Sequence, residues 1–508
     1  MRPTFLGFEA SKTALFASQK ALDITGNNLA NISSEGYTRQ RVDQVSSKFH
    51  SYATKGYMGV RVALAGEGTT VLGIGQTRDK QLDTALRQQC CEIGENSQRS
   101  AMLTDIEDAM QEFEIGEDGN GYGIRDAISG LYNALQDFSL DTSSATYAAV
   151  AVDAFDNLAA TINEKFLNLE EVGEKYKADL ETDCSAVNNI LYKIASLNTD
   201  IRETMVSNQY TDEYGPNELL DERNSLLDEL SSYGEISIKY NDDGTINVSM
   251  NGYEAIRRET PDALCYAENS DGTVSVKWKN SGEIAKTGKG VINAEVDILN
   301  GRGTNIQNKT ESTARGLLYY KDKLNTLATY ISDVCNNTIP DEIDAAGNIV
   351  SYKKLFGADM RTEDGKGGVY TDMYITADNM AISDDLNEDT NYLLFENGGN
   401  TDNTYTLNLI AKLSQAHFDF GDFTGTFEEY ITDYSTNLGN DVSYANERYD
   451  AAVIVGNNLS NSRDSVMGVS ETEETANMLA YNRAFQAASR MMTVMDDLLD
   501  VIINRMAV

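Results

Sequence analysis

The chain has 508 residues, with 80 Asp and Glu against 41 Lys and Arg, for a formal net charge of −39. A nucleic-acid binder is excluded, because phosphate recognition needs a basic stripe and the local pair Arg39 and Arg41 is too small to supply one. Two His (His50 and His417), one Trp (Trp278) and four Pro leave little for histidine-dependent chemistry, whereas 41% apolar residues suffice for folded cores, at about 150 residues per domain roughly three of them.

The opening residues, 1–9, lack the uninterrupted apolar run of a secretory signal, and no stretch approaches the ~18 apolar residues of a membrane span. A chain without membrane insertion is therefore expected, and any export would use a route without a cleaved signal peptide. Cys90, Cys91, Cys184, Cys265 and Cys335 make an odd count without a Cys-x-x-Cys spacing, so free thiols are expected.

From Phe8 onward, Phe8, Ser11, Leu15, Ser18, Leu22, Thr25, Leu29 and Ile32 step by alternating three and four, with large residues on one line and small ones on the other. Between Arg78 and Leu230 apolar residues recur at helical spacing, as in Leu82-Leu86, Leu103-Ile106-Met110-Phe113, Ile128-Leu131-Leu135-Phe138, Phe155-Leu158-Ile162 and Leu180 through Ile201, while Asp and Glu fill solvated faces. Near Glu235 the period changes to two. Ile236–Tyr240 and Ile246–Met250 flank Asp242-Asp243-Gly244, and Val274–Trp278 follows Asp271-Gly272, which are hairpin signals. A helix is predicted over 312–337, short strands and loops over 341–403, and helix again from about Leu407.

The last segment repeats the three-and-four step through Met478, Tyr481, Phe485, Ala488, Met492, Met495, Leu499, Ile502 and Met506, widened by Ala484, Met491 and Leu498. Ser470 and Glu473 have capping-box spacing, which starts this helix near Glu471. Two stripes at opposite termini, one small-sided and one large-sided, favour pairing with each other or with copies of themselves. The fold class expected is α+β, with long coiled-coil-like terminal and rod helices and a β-rich domain inserted mid-chain. Its divisions are 1–45 with 474–508, then 46–235 with 404–473, to which the helix at 312–337 could belong, and 236–403. No internal repeat is evident.

Templates for chemistry fail on spacing. There is no His-Glu-x-x-His and no Gly-x-Ser-x-Gly. Gly288-Lys289-Gly290 lacks the Ser or Thr of a phosphate loop, and Gly119–Gly123 lacks the spacing of a dinucleotide fingerprint. Asp118, Asn120 and Gly123 resemble part of a calcium loop, yet Ser129 stands where a bidentate Glu is needed. No catalytic residue, cofactor or metal site is assigned, so a non-enzymatic chain is expected.

The N-terminal segment Ala30-Asn31-Ile32-Ser33-Ser34-Glu35-Gly36-Tyr37 resembles the Ala/Ser-Asn-x-x-Thr-x-Gly-Tyr signature of the bacterial flagellar axial proteins, with Ser34 in place of Thr. Its continuation Thr38-Arg39-Gln40 is similar to the hook-associated protein 1 family, as are residues 468–477 with 484–488, 217–223 and 324–336. The resemblance implies a structural adaptor at the hook–filament junction, outside the cell, whose terminal helices form an inner tube domain that orders on assembly. It implies as partners the hook protein, the second hook–filament junction protein, copies of the chain and an export chaperone on the C-terminal helix, where Met478, Met491, Met492 and Met495 suit repacking. The assembly residues it implies, beside the apolar stripes, are Asn31, Gly36, Tyr37, Arg39 and Gln40. The rival readings are another axial subunit, of hook or filament type, and a surface hydrolase or carbohydrate-binding protein using the β-rich middle.

Overall fold

The computed structural model describes residues 6–34, 36–46, 68–112, 123–208, 214–286, 288–304, 312–345, 347–361, 368–397 and 400–501. His50, Ile502, Met506 and residues 118–120 lie outside them. In chain order the first half forms α1 (Leu6–Ala30), β1 (Gln40–Ser46), β2 (Thr69–Gln76), α2 (Lys80–Met110), α3 (Ile124–Leu140), α4 (Ala145–Asn208) and α5 (Asn217–Tyr233). Strands β3 (Ile236–Tyr240), β4 (Ile246–Met250), β5 (Tyr253–Arg257), β6 (Thr260–Pro261), β7 (Leu264–Glu268) and β8 (Val274–Trp278) follow.

The second half comprises α6 (Val291–Asn300), α7 (Leu317–Asn336), β9 (Pro340–Ile343), β10 (Ile349–Tyr352), β11 (Phe356–Asp359), β12 (Val369–Tyr370), β13 (Met380–Ile382), α8 (Asp384–Glu388), β14 (Phe395–Asn397), β15 (Asn400–Asp402), α9 (Thr404–Gln415), β16 (Phe418–Asp419), β17 (Thr424–Gly425), α10 (Phe427–Met467) and α11 (Glu471–Asp500). The class is α+β, with small antiparallel sheets beside long helices. Contacts group the chain into two units, Met1–Glu92 with Ala186–Ala263 and Ala452–Val508, and Ile93–Ser185 with Leu264–Ala451.

In the first unit β3, β4, β5 and β6 form one sheet in sequence order. Its inward positions Ile246, Val248 and Met250 alternate with half-buried ones, as the period of two requires. The turn at 241–245 is built from side chains: Asp243 Oδ1 accepts from the Thr245 N–H at 3.1 Å, and Asn241 Nδ2 donates to Thr245 Oγ1 at 3.0 Å. The β7–β8 hairpin of the second unit repeats that turn with Asn269, Asp271 and Thr273, at 3.1 and 2.9 Å. The shared Asn-x-Asp-Gly-Thr is a short repeat that the sequence reading passed over, since it spans a single turn.

In the second unit the apolar face of α3, Ile124, Leu131, Leu135 and Phe138, is fully buried, and α3 packs against α9. The chain from Leu407 onward is not wholly helical. Strands β16 and β17 interrupt it, because Phe418, Phe420 and Phe427 gather with Tyr330 and Tyr430 into an aromatic cluster in which Phe420 and Tyr430 stack at 4.2 Å. The periodic stretches read separately at 155–162 and 180–201 belong to the one helix α4 of 64 residues, and Gly173 within it lets the Leu317 side chain approach where a Cβ would clash. All five cysteines are free: Cys91, Cys184 and Cys335 buried, Cys90 half-buried and Cys265 exposed.

Candidate functional site: the paired terminal helices and their clasp

Helix α1 packs along α11 within the first unit. The face that α1 buries is the small one, Ser11, Ala17, Ser18, Ala21, Ile24, Thr25 and Asn28. Small residues let two helix backbones come close, and their hydroxyls are satisfied locally: Ser11 Oγ donates to the Gly7 carbonyl at 2.9 Å and Thr25 Oγ1 to the Ala21 carbonyl at 2.8 Å. Phe8, Leu15, Leu22 and Leu29 flank this face half-buried, and Ile32 lies past the helix end, exposed. On α11 the sheltered positions are Met478, Tyr481, Phe485, Ala488, Met492, Met495 and Leu499, while the residues between them from 479 onward are exposed. Near the open end of the pair, Met495 Cε lies 2.6 Å from where a Cβ on Gly7 would stand, so the methionine tip packs into the space that the glycine leaves.

The residues that widen this seam turn outward. Ala480, Ala484, Ala487, Met491, Val494, Leu498 and Val501 are all exposed and keep their own alternation of three and four. Met491 is 49% and Leu498 52% exposed, so α11 carries one apolar line against α1 and a second facing solvent.

At the other end of the pair a polar clasp closes it. Asn28 is 1% exposed and has its hydrogen-bonding capacity filled. Its Nδ2 donates to the Gln40 carbonyl at 2.9 Å and to Glu474 Oε2 at 3.1 Å, and its Oδ1 accepts from Tyr37 Oη at 2.8 Å and the Gln40 N–H at 3.0 Å. Arg39 donates through Nε to Glu474 Oε1 at 2.9 Å and lies 2.9 Å from Glu473 Oε2 through Nη1, while its N–H donates to the Met467 carbonyl at 2.9 Å. Ser470 caps α11 by accepting from the Glu473 N–H. Both glutamates sit in the first turn of α11, where the helix dipole also favours them.

The clasp extends to α5. The Thr38 N–H donates to Asp221 Oδ2 at 3.2 Å, Gln76 Nε2 to Asp221 Oδ1 at 2.9 Å, and Arg78, held by Asp83 at 2.6 Å, donates to Thr38 Oγ1 at 3.3 Å. Burial, then Asp221, Glu218 and Glu474, push the Tyr37 hydroxyl up to about 12, so it stays a donor. Gly36 takes φ +76°, the left-handed turn that redirects the chain from α1 into β1. Asn31 Nδ2 donates to Asn27 Oδ1 at 3.0 Å, steadying the end of α1 without joining the clasp.

Three segments far apart in sequence thus meet at one point: 28–40, 217–221 and 467–474. Comparison with known proteins finds the same segments. The model of the flagellar hook-associated protein FlgK helical domain matches residues 104–356, that of the flagella basal body rod protein matches 8–38, and that of the flagellar basal body rod FlgEFG protein C-terminal region matches 463–506. A relative named flagellar hook-associated protein 1, from Bacillus subtilis, is 27% identical over 100% of this chain and 99% of its own. The chain belongs to the flagellar hook-associated protein 1 family.

A second family member, from Salmonella typhimurium, is 24% identical over 51% of this chain and 44% of its own. The structure of the flagellar hook junction protein FlgK from Burkholderia pseudomallei shares the fold, with a TM-score of 0.55 at 10% identity, covering 75% of this chain and 100% of that one. The family is structural and non-enzymatic, placing this chain among flagellar axial components; the hydrolase and carbohydrate-binding readings are not favoured. No helix among the described residues is long and apolar enough to cross a membrane.

Asn28, Asp221 and Glu474 are the clasp residues that sequence reasoning missed. Each lies inside a stretch it had noted, but only Glu474 gave a signal, as the polar residue one step of four before Met478; Asn28 falls beside its stripe and Asp221 in a segment with no stripe noted.

Proposed function

We propose that the chain is a structural adaptor subunit of the flagellar hook–filament junction that polymerises through its N- and C-terminal helices. The observation that carries the reading is the division of α11 into two apolar lines. One is occupied by α1; the other, Met491, Val494, Leu498 and Val501, faces solvent with the spacing that a further helix would match. In a ring of copies that line would be covered by a neighbour's terminal helices, extending a heterologous contact into a helical lattice.

Under this reading residues 1–45 with 474–508 act as the assembling part. The clasp at Asn28, Tyr37, Arg39 and Gln40 sets the angle at which the pair leaves the rest of the first unit, Phe485, Met492, Met495 and Leu499 hold α11 on α1 so that the outer line is presented, and Phe8, Leu15, Leu22 and Leu29, half-buried beside the pair, add to the surface that a neighbouring copy meets. The hook protein and the second junction protein are the neighbours on either side. Before assembly an export chaperone would cover the methionine-rich stripe of α11, and the assembled subunit would lie outside the cell.

Hydrogen exchange resolved along the chain tests this, on the purified monomer and on assembled particles. Protection gained on assembly at α1 and α11, with the second unit, residues 93–185 and 264–451, unchanged, is the expected result. Strong protection of both helices in the monomer that does not change on assembly would refute it.

A further inference from the structure

The first unit contains a cavity of about 370 Å³ bounded by β2, the start of α2, the end of α4, α5 and the turn between β3 and β4. In a chain of net charge −39 its lining is unusual: Arg41, Arg78, Lys80 and Arg223 against Asp83 and Asp242. Two of the cations are already matched, Arg78 by Asp83 at 2.6 Å and Arg41 by Asp43 at 3.0 Å. Lys80 has no ion pair among the described residues and lies over the Tyr240 ring, 4.2 Å from its centroid.

Arg223 is the anomaly. Its side chain is 4% exposed, its Nη1 donates only to neutral acceptors, Asn198 Oδ1 at 2.9 Å and the Gly244 carbonyl at 2.8 Å, and its Nε–H has no partner. Burial draws its pKa down to about 10, which leaves it charged at neutral pH. A buried guanidinium with neither a carboxylate nor a full set of acceptors is an incomplete site. The exposed Asp242 lines the same cavity and pairs with neither free cation.

We propose that this cavity receives the carboxylate of an Asp or Glu side chain from a second copy of this chain, which completes Arg223 from inside and Lys80 from the mouth. A guanidinium edge and an ammonium together match a carboxylate. The partner is a copy because the surface of this chain is dominated by carboxylates, so the cation-lined recess is complementary to the chain's own exterior. The inference rests on the polymerisation reading above and names one contact within it.

The test uses the full chain assembled from an equal mixture of isotope-labelled and unlabelled copies, coupled with a zero-length carbodiimide and mapped by mass spectrometry. Lys80 should appear amide-linked to an Asp or Glu of the other isotope, and Lys80→Gln should raise the concentration for half-assembly roughly fivefold. Assembled particles whose Lys80 links lie only within one copy, or are absent, overturn the proposal and leave the polymerisation reading standing. Failure of the wild type to form particles overturns both. Glutarate titrated into the monomer separates the other source: if glutarate raises the melting midpoint but does not inhibit assembly, the cavity is a free-anion site and the inter-copy contact is refuted. Chloride at matched ionic strength must not reproduce the glutarate effect; if it does, the site is refuted as screening alone.

Discussion

Arg39 and Glu474 are joined through two nitrogens on one oxygen: Nε lies 2.9 Å and Nη2 2.6 Å from Glu474 Oε1, and the other carboxylate oxygen belongs to Asn28. Glu474 is almost fully buried and Arg39 three-quarters so. Because both sides of the pair are also hydrogen-bonded, removing any member leaves buried groups unmatched. Asn28→Ala should therefore cost about 2–4 kcal/mol, read as faster hydrogen exchange in α1 and the first turns of α11. Unchanged exchange there would show that the clasp does not hold the terminal pair.

The two lines of α11 should separate folding from assembly. Phe485→Asp and Leu499→Asp put a charge into the face against α1 and should loosen the helix pair as well as block assembly. Leu498→Asp changes an exposed position, so monomer stability should move by no more than about 0.5 kcal/mol while incorporation into particles is lost. Normal incorporation of Leu498→Asp would remove the second line from the assembly mechanism.

Gly244 ends the first hairpin turn at φ +81°, and a Cβ there would collide with the Met205 Sδ. Its carbonyl also accepts from Arg223. Gly244→Ala should destabilise the first unit by about 2–3 kcal/mol, visible as a lower midpoint in denaturant at an unchanged slope. A neutral result would mean that the α4 end shifts to make room.

Glu295 of α6 is fully buried in the second unit and hydrogen-bonds Gln98 Nε2 at 2.9 Å. Burial first, then the neighbouring carboxylates Asp183 and Asp179, push it up to about 9, so the folded chain holds a proton that the unfolded chain releases near the ordinary carboxylate range. A raised folded value means that this stability is complete at acid pH and is lost as pH rises towards 9. Glu295→Gln keeps a hydrogen-bonding amide without the titration. Its thermal midpoint should gain on the wild type between pH 5 and pH 8, and a constant difference would refute the assignment.

Much of the architecture was open to sequence reasoning because the signals are local. The terminal stripes, the Ser470 cap and the Asp-Gly hairpin turns each depend on residues within a few positions of one another, and 3.6- and 2-residue periods are set by the backbone. The same locality explains the failures. Two periodic stretches did not announce that α4 runs unbroken between them, and α6, at ten residues, is too short an apolar run for periodicity to tell helix from strand. Strands β16 and β17 exist because an aromatic cluster gathers around them.

What the sequence alone determined was composition-level exclusion, the α+β class, the apolar faces of α1 and α11, and, through its motifs, a family. Tertiary structure decided which line of α11 meets α1, that Asn28, Asp221 and Glu474 meet around Tyr37, Thr38, Arg39 and Gln40, and that Arg223 is buried without an acid. Periodicity reports which faces are apolar but not what covers them. A polar network between residues hundreds of positions apart has no spacing to read, since its geometry arises only when the helices that carry it are packed.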